Sequence, residues 1–414
     1  MIEVDSLEGE DPVVAGLVEK EALRQASTLN LIAAESAAPR SVLEALGSVF
    51  GNKTVEGYPK RRYHRGCSVA DELEELAIDR AKTLFRAEHA NVQVHSGASA
   101  NLAVYQAVLT TGDVLLSMEL SHGGHLSHGA AASITGRIYS AVHYGVRRDT
   151  EMIDYDEVRD LALAHRPRMI VAGGSSYPRL IDYPTMRAIA DEVGAYLHVD
   201  MSHIAGLVAA DAIPSPVPGA DFVTLTTYKT MLGSHGGVVL SRAEHAGRLD
   251  RAVFPGTQGT PAVSQIAAKA VCFRLAQTDR FRELQTRIVR NARSLADAMA
   301  GFGYRLVADG TDTHMVLLDL RSVGLTGDRA ETILEEVGIL TNRNVIPFDP
   351  HTTSVTSGLR MGTPGTAIRG FGELQIQQVA AMVHDVLGRS NTDAVRDSVR
   401  QGVADLCATH PVRW

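Results

Sequence analysis

Cysteine is scarce in this 414-residue chain: there are three, Cys67, Cys272 and Cys407, far apart and odd in number. That spacing builds neither a disulfide framework nor a metal-ligand set, so a reducing compartment and no metal are expected, with the thiols buried as small apolar groups. A cationic surplus is also missing. The net charge is -8 and the lysines and arginines are spread along the chain, which leaves no field to attract a phosphodiester backbone and excludes nucleic acid as a natural partner. No stretch reaches the ~18 to 20 apolar residues needed to cross a bilayer. The acidic beginning, MIEVDSLEGEDP, has no cationic segment followed by an apolar run. A soluble cytoplasmic protein without a membrane partner is expected. Repeats and low-complexity tracts are lacking as well. What remains is an ordinary globular composition, 45% hydrophobic and 21% charged, in a chain long enough to bury an enzyme-sized core.

Between about residues 90 and 242, short β-rich runs alternate with helix-period segments: DVLLSM (113–118), IYSAVHYG (138–145), MIVAGG (169–174), AYLHVD (195–200), FVTLTT (222–227) and GGVVLS (236–241). The alternation predicts a mostly parallel sheet covered by helices on both faces, which binds ligands at the carboxyl ends of its strands. From about residue 280 long amphipathic stretches surround one strand candidate, MVLLDL (315–320). The expected division is an N-terminal arm over 1–30 with a helix at about 13–27, a large domain over 31–280, and a small α+β domain over 281–414.

Several residues at these strand ends fit a pyridoxal-phosphate (PLP) site. Such a site needs an amine, a carboxylate to keep the pyridine nitrogen protonated, an anion cradle, and an aromatic or imidazole surface against the ring. Lys229, in TLTTYKTMLGSHGG, follows a strand and precedes a glycine turn; alone, it would read as a solvated lysine. Asp200 closes AYLHVD and can pair with a pyridinium or simply cap the next helix. HSGASAN (95–101) puts small residues at a helix start, where free N–H groups and the dipole favour a phosphate. His125, in SHGGHLSHG, could stack on the ring, and Arg360, in SGLRMGTP, could grip a carboxylate as a fork.

The segments EGYPKRRY, CSVADELEELAIDRAKTLF, NVQVHSGASAN, HGGHLSHG, HVDMSHIAGLVAA, TTYKT, FPGTQGTP and GLRMGTP resemble successive motifs of serine hydroxymethyltransferase, in the same order, over about residues 29–390. The resemblance implies an α/β, fold-type I (aminotransferase-like) architecture, with a mostly parallel seven-stranded sheet in the large domain. It also implies a homodimer with shared active sites, which could pair further into a tetramer. By the same resemblance Lys229 holds PLP, Asp200 partners the pyridinium, His125 stacks, and Ser175 and His203 neighbour the phenolic oxygen. Ser96, Gly97 and Ala98 hold the phosphate, joined by Gly259 and Thr260 from the partner subunit, with Thr226 in the same cofactor-binding set. Glu56 is the acid/base group, Arg360 clamps the substrate carboxylate, and Tyr63 is an active-site tyrosine.

The chain departs from the family's pattern at six positions: Tyr228 stands for a histidine, His235 for an arginine, His64 for a second tyrosine, Ala34 for a serine, Thr54 for a tyrosine and Phe348 for a pterin-binding asparagine. His64 and Tyr228 become candidates for proton handling, and Phe348 for the substrate pocket. Leu120, Gly124 and Leu126, which line the family's folate pocket, are kept. Phe348 cannot make the polar pairing with folate. The expected activity is therefore cleavage or formation of the Cα–Cβ bond of a β-hydroxy amino acid, with an aldehyde as the other partner. It would be independent of tetrahydrofolate, as in a threonine aldolase or transaldolase. The alternatives are a tetrahydrofolate-dependent serine or α-methylserine hydroxymethyltransferase, and a PLP racemase, aminotransferase or decarboxylase.

Overall fold

The apolar runs between residues 113 and 241 become strands of one sheet, seen in a computed structural model that describes residues 6–388 and 392–412. Residues 1–5 of the expected arm, and 389–391 and 413–414 of the expected C-terminal region, lie outside the described residues. The strands are β1 (His89–Asn91), β2 (Val114–Met118), β3 (Ser140–Tyr144), β4 (Met169–Ala172), β5 (Tyr196–Asp200), β6 (Phe222–Thr226) and β7 (Gly237–Ser241), ordered β1-β7-β6-β5-β4-β2-β3. β2 through β6 are parallel, while β7 runs antiparallel to β6 and to β1. Every residue of β4, β6 and β7 is buried, because helices cover both faces, and that is why these strands read as continuous apolar runs. β1, only His-Ala-Asn, has no such run to betray it.

After β2 the chain turns outward to β3 and then returns to the other side of β2 as β4. Loops leaving β2 and β4 therefore diverge, which opens a crevice at their carboxyl ends.

Four helices matter for the site: α1 (Pro12–Ser27), α2 (Gly97–Val108), α3 (Val263–Ala276) and α4 (Asp279–Gly301). In α1, Asp11 caps the N–H groups of Val13 and Val14 and Pro12 opens the first turn. None of its residues is buried, and Val13, Leu17 and Leu23 are exposed. α4 starts at the cap Thr278 and buries Phe281, Ile288, Leu295 and Met299 along one face. Beyond it, β8 (Arg305–Leu306), β9 (Met315–Asp319), β10 (Asn342–Asn344) and β11 (Gly358–Gly362) form an antiparallel sheet ordered β8-β9-β11-β10.

The chain after α1 locks the two sheets together. Leu29–Asn30 pairs in parallel with Ile339–Leu340, and Gly362 N donates to Leu31 O at 2.7 Å. Gly362 has no room for a side chain, since a Cβ would stand 2.4 Å from Ala33 Cα. The Ser36 hydroxyl reaches the carbonyls of Tyr228 (2.8 Å) and Lys229 (2.7 Å). All three cysteines are buried and free, and among the described residues no helix is long and apolar enough to cross a membrane.

Candidate active site

Asp200 ends β5, Thr226 ends β6, and the loops after β2, β4 and β6 carry His125, Ser175 and Lys229. Parallel strands put all of these at one edge of the sheet, where, with Ser96, Gly97, Ala98 and His203, they line a single cavity. The Lys229 side chain is buried. Burial pulls its pKa down to about 8, against the attraction of Asp200 and with help from Arg360.

Asp200 is the most heavily supported group in the cavity. One carboxylate oxygen accepts from Asn101 Nδ2 (2.8 Å) and faces His128 Nε2 (3.1 Å); the other accepts from Ser202 N (2.9 Å). Burial alone would raise its pKa, but the bonds and charge of His128, with His125 and Asn101, hold it well below the usual carboxylate range. Asn101 is itself fixed, because Thr224 Oγ1 donates to its Oδ1 at 2.6 Å. Neither Asn101 nor His128 stood among the expected site residues. The only sign of His128 was its place as the last of three histidines in HGGHLSHG.

The His125 ring lies 5.5 Å from that of His128, and its Nδ1 meets Ser127 Oγ at 2.7 Å. Burial first, and then His128, lower its pKa to about 4, so at neutral pH it is an uncharged ring surface. His203 is held uncharged too, by burial and by the nearby Lys229 and Arg360. Its Nδ1, like Ser202 Oγ, is buried without a partner among the described residues.

The cradle is the N-terminus of α2. Ser96 caps the helix in a reciprocal box with Ser99, which leaves the N–H groups of Gly97 and Ala98 as first-turn donors. Glycine suits residue 97, because a Cβ there would come within 2.7 Å of Thr226 Cγ2. Arg360, buried on β11, donates to Ser175 O and to Asn342 Oδ1. Burial lowers its pKa to about 10, and among the described residues it has no carboxylate partner.

Not every expected residue arrives at this cavity. Glu56, Tyr63, His64, Gly259 and Thr260 gather elsewhere, on the hairpin around Gly57–Arg62 and the loop before α3. Glu56 Oε2 lies 3.4 Å from His64 Nε2, Val55 N donates to Thr260 Oγ1 (3.1 Å), and Tyr63 meets Phe254 edge-on at 5.7 Å. None of the five lines the Lys229 cavity. Phe348 does not line it either. Its ring packs at 4.8 Å against His122, under the Arg148 guanidinium at 4.0 Å, so its apolar face is covered by protein. Tyr228 does line the cavity, stacked flat on His235 at 3.9 Å and 15°.

The arrangement fits PLP. A buried amine without a bonded carboxylate, an ionised Asp200, an uncharged imidazole face and a helix N-terminus converge, and Ser202 Oγ and His203 Nδ1 remain unpartnered beside them. The sequence pattern of serine hydroxymethyltransferase matches residues 7–383. The chain is also 50% identical over 407 residues to serine hydroxymethyltransferase 1 of Pseudomonas fluorescens (strain Pf0-1), covering 98% of this chain and 99% of that protein. A likeness of that extent corrects the expectation of a divergent, folate-independent aldolase: it gives that reading no support and favours the hydroxymethyltransferase alternative. The chain is a member of the serine hydroxymethyltransferase family of PLP-dependent enzymes.

Proposed function

We propose that the chain transfers the hydroxymethyl group of serine, or of an α-methylated serine, to tetrahydrofolate. What carries the reading is one cavity holding Lys229, the ionised Asp200 and the uncharged His203, in a chain similar over its whole length to a hydroxymethyltransferase. Bound there, PLP supplies an electron sink for the bonds at the substrate's Cα. Lys229, with its pKa near 8, is partly unprotonated at neutral pH and able to attack an aldehyde. Asp200 would accept from the ring N–H and keep that nitrogen protonated, and His125 would offer its uncharged ring as a surface against the cofactor. The N–H groups of Gly97 and Ala98 would receive the phosphate. Arg360, with no carboxylate partner among the described residues, would take the substrate's carboxylate and fix its orientation in the cavity.

Glu56 handles the proton of the β-hydroxyl, and His64, 3.4 Å away, shares it. Because Glu56, Tyr63, His64, Gly259 and Thr260 form a group apart from Lys229, we infer a homodimer in which each chain lends this group to its partner's cavity. Leu120 and Leu126, both exposed on the loop after β2, offer an apolar bed for the pterin that does not depend on residue 348. The division into an arm, a large domain to residue 280 and a small domain beyond belongs to the same reading.

The deciding experiment measures aldehyde and glycine production by the PLP-loaded protein from L-serine and from L-threonine, with and without tetrahydrofolate. Folate-stimulated serine turnover, lost in Lys229→Ala, is expected. Threonine cleavage indifferent to folate, with serine inert, would refute the proposal.

A further inference from the structure

Lysine is seldom buried without a carboxylate, because taking an ammonium out of water is costly. Lys269, at the centre of α3, is 1% exposed. Its amine donates to the carbonyls of Val92 (2.7 Å) and Val94 (2.9 Å). Among the described residues it forms no ion pair, and Glu74 acts on it only through space; burial pushes its pKa down to about 7 against that attraction.

Its surroundings suggest what the amine does. Val92 and Val94 belong to the segment that leads from β1 into the cap Ser96 and the cradle at Gly97 and Ala98. Val94 O also accepts from Gly237 N at 3.2 Å, and a Cβ on Gly237 would stand 2.3 Å from Ser96 O. On its other side the amine meets Gly236, where a Cβ would lie 2.5 Å from Lys269 Cε. Gly236 O in turn accepts from Thr227 N at 3.2 Å, two residues before Lys229. The lead-in to the cradle, the turn after Lys229, and α3 thus converge on one side chain.

We propose that Lys269 is a positioning residue for the anionic end of the cofactor: it holds the N–H groups of Gly97 and Ala98 and the turn at Gly236 in one register and places an amine behind them. The proposal rests on the cavity being the PLP site. In this low-dielectric setting the attraction between a buried amine and a phosphate is poorly screened. Without the anion, the cost of burying the amine is set only against its bonds to the Val92 and Val94 carbonyls.

The test titrates apo-protein with PLP and with pyridoxal, which lacks the phosphate, comparing the natural chain with Lys269→Met. PLP affinity is expected to fall about tenfold or more and pyridoxal affinity to change less than about twofold, as for loss of charge-assisted contacts at the phosphate end alone. Equal losses for both compounds, or unchanged PLP affinity in a folded variant, overturn the proposal. Should the methionine variant not fold, Lys269→Gln is titrated the same way: a phosphate-selective loss supports the proposal and its absence overturns it. A natural chain that bound neither compound would refute the cofactor site itself.

Discussion

Lys229 and Asp200 show what single residues give up for function. Burial holds the Lys229 pKa near 8 against 10.5 for a free lysine. The apo-fold therefore carries a penalty that is full below about pH 8 and fades as pH rises toward 10.5, where the unfolded chain also loses its proton. Lys229→Met is expected to stabilise the apo-protein by up to about 3 kcal/mol at pH 7. The gain should be nearly gone at pH 10.5, as read from urea unfolding at both values. Asp200 has the opposite sign, because its depressed pKa contributes stability that disappears only in strong acid. Removing a partner is the sharper probe: Asn101→Ala leaves a buried carboxylate one donor short and should cost about 1 to 3 kcal/mol in urea unfolding, with weaker PLP binding. These two examples also mark the reach of sequence reading. Lys229 and Asp200 were legible because they end or follow apolar strands. Asn101 lies inside a helix and His128 in a loop, and neither letter reveals that it faces a carboxylate 99 or 72 residues away.

At the scale of elements, the proposed cradle depends on α2 beginning beside the end of β6. The contact between residue 97 and the Thr226 methyl leaves no space for a Cβ. Gly97→Ala is expected to reduce PLP affinity by about tenfold or more, since overpacking a tight site displaces backbone. Thr226→Ser in the same chain, which removes the obstructing Cγ2, should restore most of it in a spectral titration. Phe348 teaches the converse lesson. Judged as a letter it removes a hydrogen-bonding group and suggests a lost folate site, yet its ring is packed between His122 and Arg148 and takes no part in lining the cavity. A substitution in a loop cannot be weighed until the loop's neighbours are known. The flat stack of Tyr228 on His235 was equally invisible as two separate departures; each ring covers the other beside Lys229.

For the whole molecule, the expected site divides in two: one group at the carboxyl edge of the large sheet, the other around Glu56 and Thr260. If two chains complete each other's sites, mixing two inactive variants must restore activity. Co-refolded Lys229→Ala and Glu56→Gln chains are expected to recover about a quarter of the natural activity, since half the dimers are mixed and half of their sites are intact. No recovery, in a mixture shown to contain mixed dimers, would place both groups in one chain's site. Sequence alone determined the sheet's parallel core, the residues that stand at its strand ends and the family, because apolar periodicity and long ordered motifs are local properties of the chain. Tertiary structure decided which polar groups support Asp200, where Lys269 points, what covers Phe348 and which residues share a cavity. Those depend on segments well separated along the chain meeting in space, and no local pattern records such a meeting.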